Sequence, residues 1–193
     1  MKNFKLRASI SDADILINFF SVKQLDKLES LFLEIVAPHY ILEKELSNKS
    51  PGGYKEVKQR IDTDNSVFIY KNRRKNTALR IASQPVIDDL NLIIGPGEAE
   101  CAGYATALEI PIIISDNVRE FMYLEDGFIM LCHTEILSLL VYYEVVTIEE
   151  ATMVYKKIQA MKSQPSSHTF KEKYDRAMKL FKTKEWEEYL GLD

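Results

Sequence analysis

The sequence has few of the residues that mark disulfide-bonded or cysteine-rich metal proteins. Two cysteines, Cys101 and Cys132, occur among 193 residues and lack the spacing of a metal-ligand motif. We therefore expect both to be reduced and packed in the interior. Of the three histidines, His39 follows a predicted strand, His133 precedes an apolar helix and His168 lies in a polar segment. We interpret the first two as structural residues.

The sequence also lacks an apolar run long enough to span a membrane, and its first residues contain no signal-peptide core. These absences predict a soluble, cytoplasmic protein with no membrane partner. The formal net charge of −4 argues against non-specific coating of nucleic acid, although it is compatible with a local basic groove. Hydrophobic residues make up 46% of the chain, which is enough for a sizeable core.

Apolar runs that alternate with helical patterns predict an α/β fold. The runs that are typical of buried strands lie at residues 8–11, 33–37, 66–70, 111–114 and 127–132. Helical patterns separate them, so we expect a three-layer α/β/α sandwich with a mainly parallel central sheet. The turn-rich segment 47–54 is predicted to be a loop. Residues 1–162 would form the main domain with a helical extension, and residues 163–193 a linker and an amphipathic helix.

One stretch, residues 95–117 (GPGEAECAGYATALEIPIIISDN), organises the rest of the chain. A Gly-Pro-Gly turn is followed by Glu98 and Glu100, and then by small residues that allow a helix to lie close to a sheet. The apolar run after this helix ends at Asp116. Because ligands of open α/β sheets bind at the carboxyl ends of strands, we expect Asp116 to lie at a site. Glu98 alone has a simpler explanation, since a carboxylate in the first turn stabilises the helix dipole.

Other carboxylates follow predicted strands in the same way, and these ends converge along one edge of a parallel sheet. Asp12 and Asp14 follow the first strand, where a single aspartate would suffice as a helix cap. Glu43 and Glu45 follow the second strand, and the sequence leaves open which of them faces the edge. Clustered carboxylates repel one another unless cations neutralise them. Their hard oxygen atoms favour Mg²⁺ or Mn²⁺, which support phosphoryl-transfer chemistry.

A basic cluster, KNRRK, follows the third predicted strand. It contains Lys71, Arg73 and Arg74, and Arg80 lies close behind. One interpretation is a solvated helix start, and the other is a contact to the phosphates of a nucleic acid.

The order of these motifs resembles the PIN-domain nucleases, which include the VapC-type toxins of bacterial toxin–antitoxin pairs. The resemblance rests on D-x-D-x-L-I after a first strand, a glutamate in a Pro-started helix, G-x-G-E-x-E before a small-residue helix, and I-I-I-S-D. It covers about residues 7–160. Position by position, the four catalytic acids of the family would be Asp12, Glu45, Glu100 and Asp116. The metal ligands would be Asp12, Glu100 and Asp116, and the secondary candidates are Asp14, Glu43, Glu98 and Asn117.

The resemblance implies an endoribonuclease that hydrolyses RNA with Mg²⁺ or Mn²⁺, an antitoxin partner and a homodimer. The RNA backbone would be guided by Lys71, Arg73, Arg74, Arg80 and Arg119. The chain departs from the family pattern because no glycine precedes Arg119, segment 47–94 is longer than in compact toxins, and the tail matches no family motif.

Two other functions fit parts of the sequence. D-A-D-I-L also resembles the opening motif of haloacid-dehalogenase-type phosphatases, in which Asp12 would be a phosphorylated nucleophile. That family requires a later lysine, and no lysine stands in a convincing position. Alternatively, the acidic edge is vestigial and the protein is a non-catalytic PIN-like binding module that docks a protein partner.

Overall fold

In the computed structural model, which describes residues 6–10, 12–183, 186–187 and 190, five parallel strands form one sheet. The strands are β1 (Leu6–Ile10), β2 (Phe32–Pro38), β3 (Phe68–Lys71), β4 (Ile112–Ile114) and β5 (Ile129–Leu131). Their order across the sheet is β3-β2-β1-β4-β5. The predicted α/β class is therefore confirmed, and every pairing between these strands is parallel. Ser11, which was predicted to close the first strand, lies outside the described residues.

Helices connect the strands and cover the sheet. They are α1 (Ala13–Ser21), α2 (Leu25–Leu31), α3 (Ser47–Lys49), α4 (Pro51–Ile61), α5 (Thr77–Leu90), α6 (Pro96–Ala107), α7 (Phe121–Leu124), α8 (His133–Tyr142), α9 (Ile148–Met161) and α10 (Phe170–Phe181). A π-helical segment, Ile41–Leu46, precedes α3. Among the described residues, no helix is long and apolar enough to cross a bilayer.

Side chains of β4 and β5 alternate between two hydrophobic clusters, one on each face of the sheet. In β4, Ile112 and Ile114 belong to the larger cluster and Ile113 to the smaller one. In β5, Leu131 and Met130 divide in the same way. This period of two places a helical layer on both faces, as expected for a three-layer α/β/α arrangement.

Segment 47–54 is helical, so the predicted loop is wrong. α3 and α4 occupy most of it, and the Ser50 side chain caps α4 by accepting the N–H of Gly53 at 3.3 Å. Pro51 stands at the start of α4, where its missing N–H costs no hydrogen bond. A Cβ on Gly52 would lie 3.3 Å from the Phe20 ring. The two glycines therefore let α4 lie close to α1, and they do not form a turn.

The C-terminal segment packs into the main core. The amphipathic helix predicted for the tail is shorter than expected, because α10 ends at Phe181 and a turn comes after it. Phe170, Ala177 and Phe181 are buried in the larger hydrophobic cluster. Leu190 is also buried, and its backbone oxygen accepts a hydrogen bond from the Tyr143 hydroxyl. The main core thus includes side chains from beyond the predicted boundary at residue 162.

Candidate functional site

Asp12 lies between β1 and α1 and accepts hydrogen bonds from two parts of the chain. Its Oδ1 accepts the N–H groups of Asp14 (2.6 Å) and Ile15 (3.0 Å) and so caps α1. Its Oδ2 accepts donors that follow β4, namely the Ser115 hydroxyl, the Asp116 N–H (2.6 Å) and the Asn117 N–H (3.1 Å). Burial raises the pKa of Asp12, and the Ser115 hydrogen bond opposes this rise. Asp12 is therefore a structural link between β1 and the end of β4.

Asp116 lies beside Asp12 at the carboxyl end of β4, and its side chain is buried. Its Oδ1 accepts the backbone N–H of His133 at 2.9 Å and lies 2.6 Å from the His133 Nδ1. Its Oδ2 accepts the side-chain amide of Asn18 and lies 3.9 Å from the Lys162 Nζ. Burial acts to raise the pKa of Asp116, but the hydrogen bonds and charges of His133 and Lys162 outweigh it and lower the pKa.

His133 connects Asp116 to α9. The Gln159 amide nitrogen lies 3.1 Å from the His133 Nε2, and the Tyr155 ring stacks on the imidazole with 6.0 Å between ring centroids. Asp116, Cys132 and His133 also bring an oxygen, a sulfur and a nitrogen within 4.8 Å of one another. Among the described residues, this is the only set of three possible metal-binding side chains that approach so closely.

Glu45 reaches the carboxyl edge from the π-helical segment. A Cβ on Gly97 would lie 2.7 Å from the Glu45 Oε1, so this carboxylate rests against the first turn of α6. A side chain at position 97 would displace this carboxylate from its present position. Burial raises the pKa of Glu45, and the negative charges of Glu98 and Asp12 add to the rise, whereas Lys49 opposes it.

Glu120 is buried near Asp12, because the Ser115 hydroxyl that donates to Asp12 also lies 3.5 Å from the Glu120 carboxylate. Glu98 favours the protonated form of Glu120. Burial raises the pKa of Glu120 to about 9, and Glu98 and Asp12 contribute to this shift. The Asn117 side-chain amide donates to Glu120 and fixes it from the other side. Carboxylates from the π-helical segment, α6 and the β4–α7 connection therefore face the same region.

Glu100 does not join this group in the way the sequence suggested. Its Oε2 accepts the Tyr40 N–H at 2.7 Å, and its Oε1 accepts the Tyr104 hydroxyl at 2.9 Å. Arg73 lies 3.6 Å from the same Oε1. Glu100 is buried among these groups, where it links α6 to the end of β2 and to the β3–α5 connection. Of the two glutamates after the Gly-Pro-Gly turn, it is Glu98 that faces Glu45 and Glu120.

The remaining acidic candidates lie at the border of the site. The Glu43 carboxylate turns towards α4, where it accepts the Tyr54 hydroxyl at 2.8 Å and lies 3.6 Å from Lys58. Asp14 is exposed, and its carboxylate lies 3.4 Å from the Lys49 Nζ. The same ammonium group lies 3.1 Å from Glu45, so a cation already borders the acidic cluster on this side.

The predicted RNA-binding residues occupy different environments. Arg73 is held by Glu100 and by the side chain of Gln84, and Lys71 ends β3 at the carboxyl edge of the sheet. The other three are exposed: Arg74, Arg80 and Arg119. The role of all five in binding RNA stays a prediction.

Sequence reasoning missed one residue of the site, Glu120, and did not indicate that His133 would contact Asp116. His133, interpreted as structural, stands next to the end of β5, at the same edge as Asp116. The convergence of parallel strand ends was a sufficient signal for it. Glu120 carried no comparable signal, because it lies in an irregular connection and enters the site through a hydrogen bond from Asn117.

Comparison of the chain with family models, curated proteins and solved structures gave no significant match.

Proposed function

We propose that this protein is a metal-dependent ribonuclease whose acids gather at the carboxyl edge of the sheet. The observation that carries this proposal is the gathering of acids at the carboxyl edge, where Glu45 lies against the first turn of α6 and Glu120 lies 3.5 Å from the Ser115 hydroxyl that also donates to Asp12. Glu98 raises the pKa of Glu120, as expected for neighbouring carboxylates that a proton or a cation would stabilise. Their oxygen donors suit Mg²⁺ or Mn²⁺.

The proposed metal ligands are Glu45, Glu98 and Glu120, whose carboxylates would draw closer together around the ion, because the three described side chains within 4.8 Å of one another are Asp116, Cys132 and His133. When bound, a divalent cation would activate water and stabilise negative charge on the scissile phosphate. Asp12 and Asp116 would support the site without binding the metal directly, because protein donors already occupy their carboxylates. This assignment replaces the set Asp12, Glu100 and Asp116 that the resemblance implied.

Protein groups around the acids would position the substrate. Lys49 lies 3.1 Å from Glu45 and is the nearest ammonium group to that carboxylate among the described ion pairs, so it is suited to a phosphate oxygen. Asn117 holds Glu120 in place, and Ser115 holds Asp12. An antitoxin partner and a homodimer stay predictions that rest on the resemblance to PIN-domain nucleases.

The hydrogen bonds of Asp12 bear on both alternative functions. A phosphatase nucleophile needs a carboxylate oxygen directed at the substrate, whereas Asp12 is buried and accepts bonds from donors on both oxygens. This arrangement argues against the phosphatase. It favours the second alternative, a binding module whose acids are structural, since Asp116 is bound by protein donors in the same way.

Matched glutamate pairs separate the nuclease from the binding module. Glu98→Gln and Glu100→Gln each remove one carboxylate from α6. Glu45→Gln and Glu43→Gln each remove one carboxylate from the π-helical segment. Mn²⁺ binding would be measured by calorimetry, and cleavage would be measured on a mixed pool of single-stranded and structured RNA with an EDTA control. We expect Glu98→Gln and Glu45→Gln to lose Mn²⁺ binding and RNA cleavage, and Glu100→Gln and Glu43→Gln to retain them. EDTA-sensitive products should carry 5′-phosphate ends.

Two results would contradict the proposal. A folded wild-type protein that binds no Mn²⁺ would favour the binding module. Equal loss of metal binding in Glu98→Gln and Glu100→Gln would show that the site had been assigned to the wrong residues.

A further inference from the structure

A basic cleft lies next to Asp116, between α9 and the start of α10. It has a volume of about 540 Å³ and is bounded by one face of α9 and by the connection 165–169. Three lysines line it, namely Lys156, Lys162 and Lys171. The Lys162 Nζ lies 3.9 Å from the Asp116 Oδ2, so one end of the cleft adjoins the carboxyl edge of the sheet.

Buried rings and hydrogen bonds hold together the two segments that bound the cleft. Tyr155 and Phe170 are buried there and pack against each other with 5.7 Å between ring centroids. The Gln159 side-chain oxygen accepts the N–H of Ser166 at 2.7 Å and fixes the connection to α9. The Tyr155 hydroxyl donates to the backbone oxygen of His168 at 3.0 Å, which fixes the connection at a second point.

The charge of the lining favours an anion. No carboxylate lines the cleft among the described residues, and two lie close to it. Asp175 forms an exposed ion pair with the Lys171 Nζ at 2.8 Å, a weak interaction with which a phosphate can compete, and Glu172 accepts the N–H and the hydroxyl of Thr169. Lys156 is exposed and lines the cleft, whereas its neighbour Lys157 lines a separate groove beside Gln24 and Lys27.

We propose that this cleft binds the phosphate backbone of a single-stranded nucleic acid on one side of the scissile bond. This inference rests on the proposed nuclease function. In that function, the RNA strand would run from the acidic cluster past Asp116 into the cleft. The lysines match the charge of the phosphates of a nucleic-acid backbone. The cleft is recessed between two segments, which suits an unpaired strand better than a duplex.

The test compares neighbouring lysines on the same helix. Binding of a short fluorescein-labelled oligouridylate would be followed by anisotropy in EDTA, so that neither metal nor cleavage is required. We expect Lys156→Glu and Lys171→Glu to weaken binding by roughly three- to tenfold and to lower the salt-dependence slope by about 0.7 for each lost contact. Lys157→Glu should bind like wild type. All three residues are exposed, and thermal melting would verify that each variant folds.

Two outcomes would overturn the inference. One is an equal effect of Lys156→Glu and Lys157→Glu, which would indicate general charge attraction. The other is equally tight binding of the matching RNA duplex with the same lysine dependence. Failure of the nuclease proposal is distinguishable, because a wild-type protein that cuts no RNA could still bind the oligouridylate through Lys156. Conversely, if the protein cuts RNA and Lys156→Glu binds the oligouridylate as tightly as wild type, the nuclease function would stand and this cleft would not be the binding site.

Discussion

Replacement of Asp12 by alanine should destabilise the fold, whatever its effect on activity. Loss of the helix cap costs about 1 kcal/mol. Three further donors after β4 would lose their acceptor, at about 1 kcal/mol each for buried polar groups. Removal of a buried carboxyl whose pKa is raised offsets part of this loss. We therefore expect Asp12→Ala to lower the free energy of unfolding by about 3 kcal/mol.

Urea denaturation measures this change, provided that the slope of the transition is unchanged. Asp12→Asn keeps an oxygen for the cap but places an amide against the donors after β4, so it should lose about 2 kcal/mol. Asp14→Ala is the control, since Asp14 is exposed and its contact with Lys49 is at the surface. A stability of Asp12→Ala within about 0.5 kcal/mol of wild type would refute the structural role of this carboxylate.

The acidic cluster and the tail support three further predictions. In EDTA, the unfolding free energy of the wild type should fall as pH rises from 4.5 towards 9, because Glu120 keeps a proton in the folded state that it loses on unfolding. Glu98→Gln should reduce this fall, because Glu98 contributes to the raised pKa of Glu120. Gly97→Ala should weaken Mn²⁺ binding, because its Cβ would come within 2.7 Å of the Glu45 carboxylate. Phe181→Ala should lower the unfolding free energy by about 3 kcal/mol, measured in urea, because this ring is fully buried.

Each of these changes has a result that would contradict it. Wild-type stability that stays constant between pH 4.5 and 9 in EDTA would exclude the raised pKa of Glu120. Gly127→Ala is the control for Gly97→Ala, because its Cβ would meet no atom closer than 4.0 Å, and equal losses of Mn²⁺ affinity would remove the steric explanation. A Phe181→Ala variant as stable as wild type would show that the tail contributes little to the core.

The sheet could be predicted from the sequence because its signal is local. Runs such as Pro111–Ile114 combine β-branched side chains with flanking turn residues, which suffices to locate a buried parallel strand. The strand ends then bring Asp12 and Asp116 together, because parallel strands share one carboxyl edge. The loop predicted for residues 47–54 failed because Gly52 and Gly53 suit a close approach between helices as well as a turn.

The choice between neighbouring carboxylates could not be made from spacing. Glu98 and Glu100 both follow the same turn, yet residues two apart on a helix point about 200° away from each other. One of them therefore faces the cluster and the other faces Tyr40 and Arg73. The packing of α6 against β2 decides between them, and this information is not local to the motif.

The π-helical segment gives chain length a role that substitutions alone would not reveal. Its backbone bonds run from residue i to i+5, so each turn holds about one residue more than an α-helical turn. Deletion of one residue between Ile41 and Glu45 would favour an ordinary α-helix and rotate the residues before the deletion by about 100° relative to the residues after it. Glu45 could then keep its identity and its neighbours in sequence and still lose its place beside Gly97. An insertion or deletion here would act on the site as strongly as replacement of the glutamate, and a scan of point substitutions would not detect it.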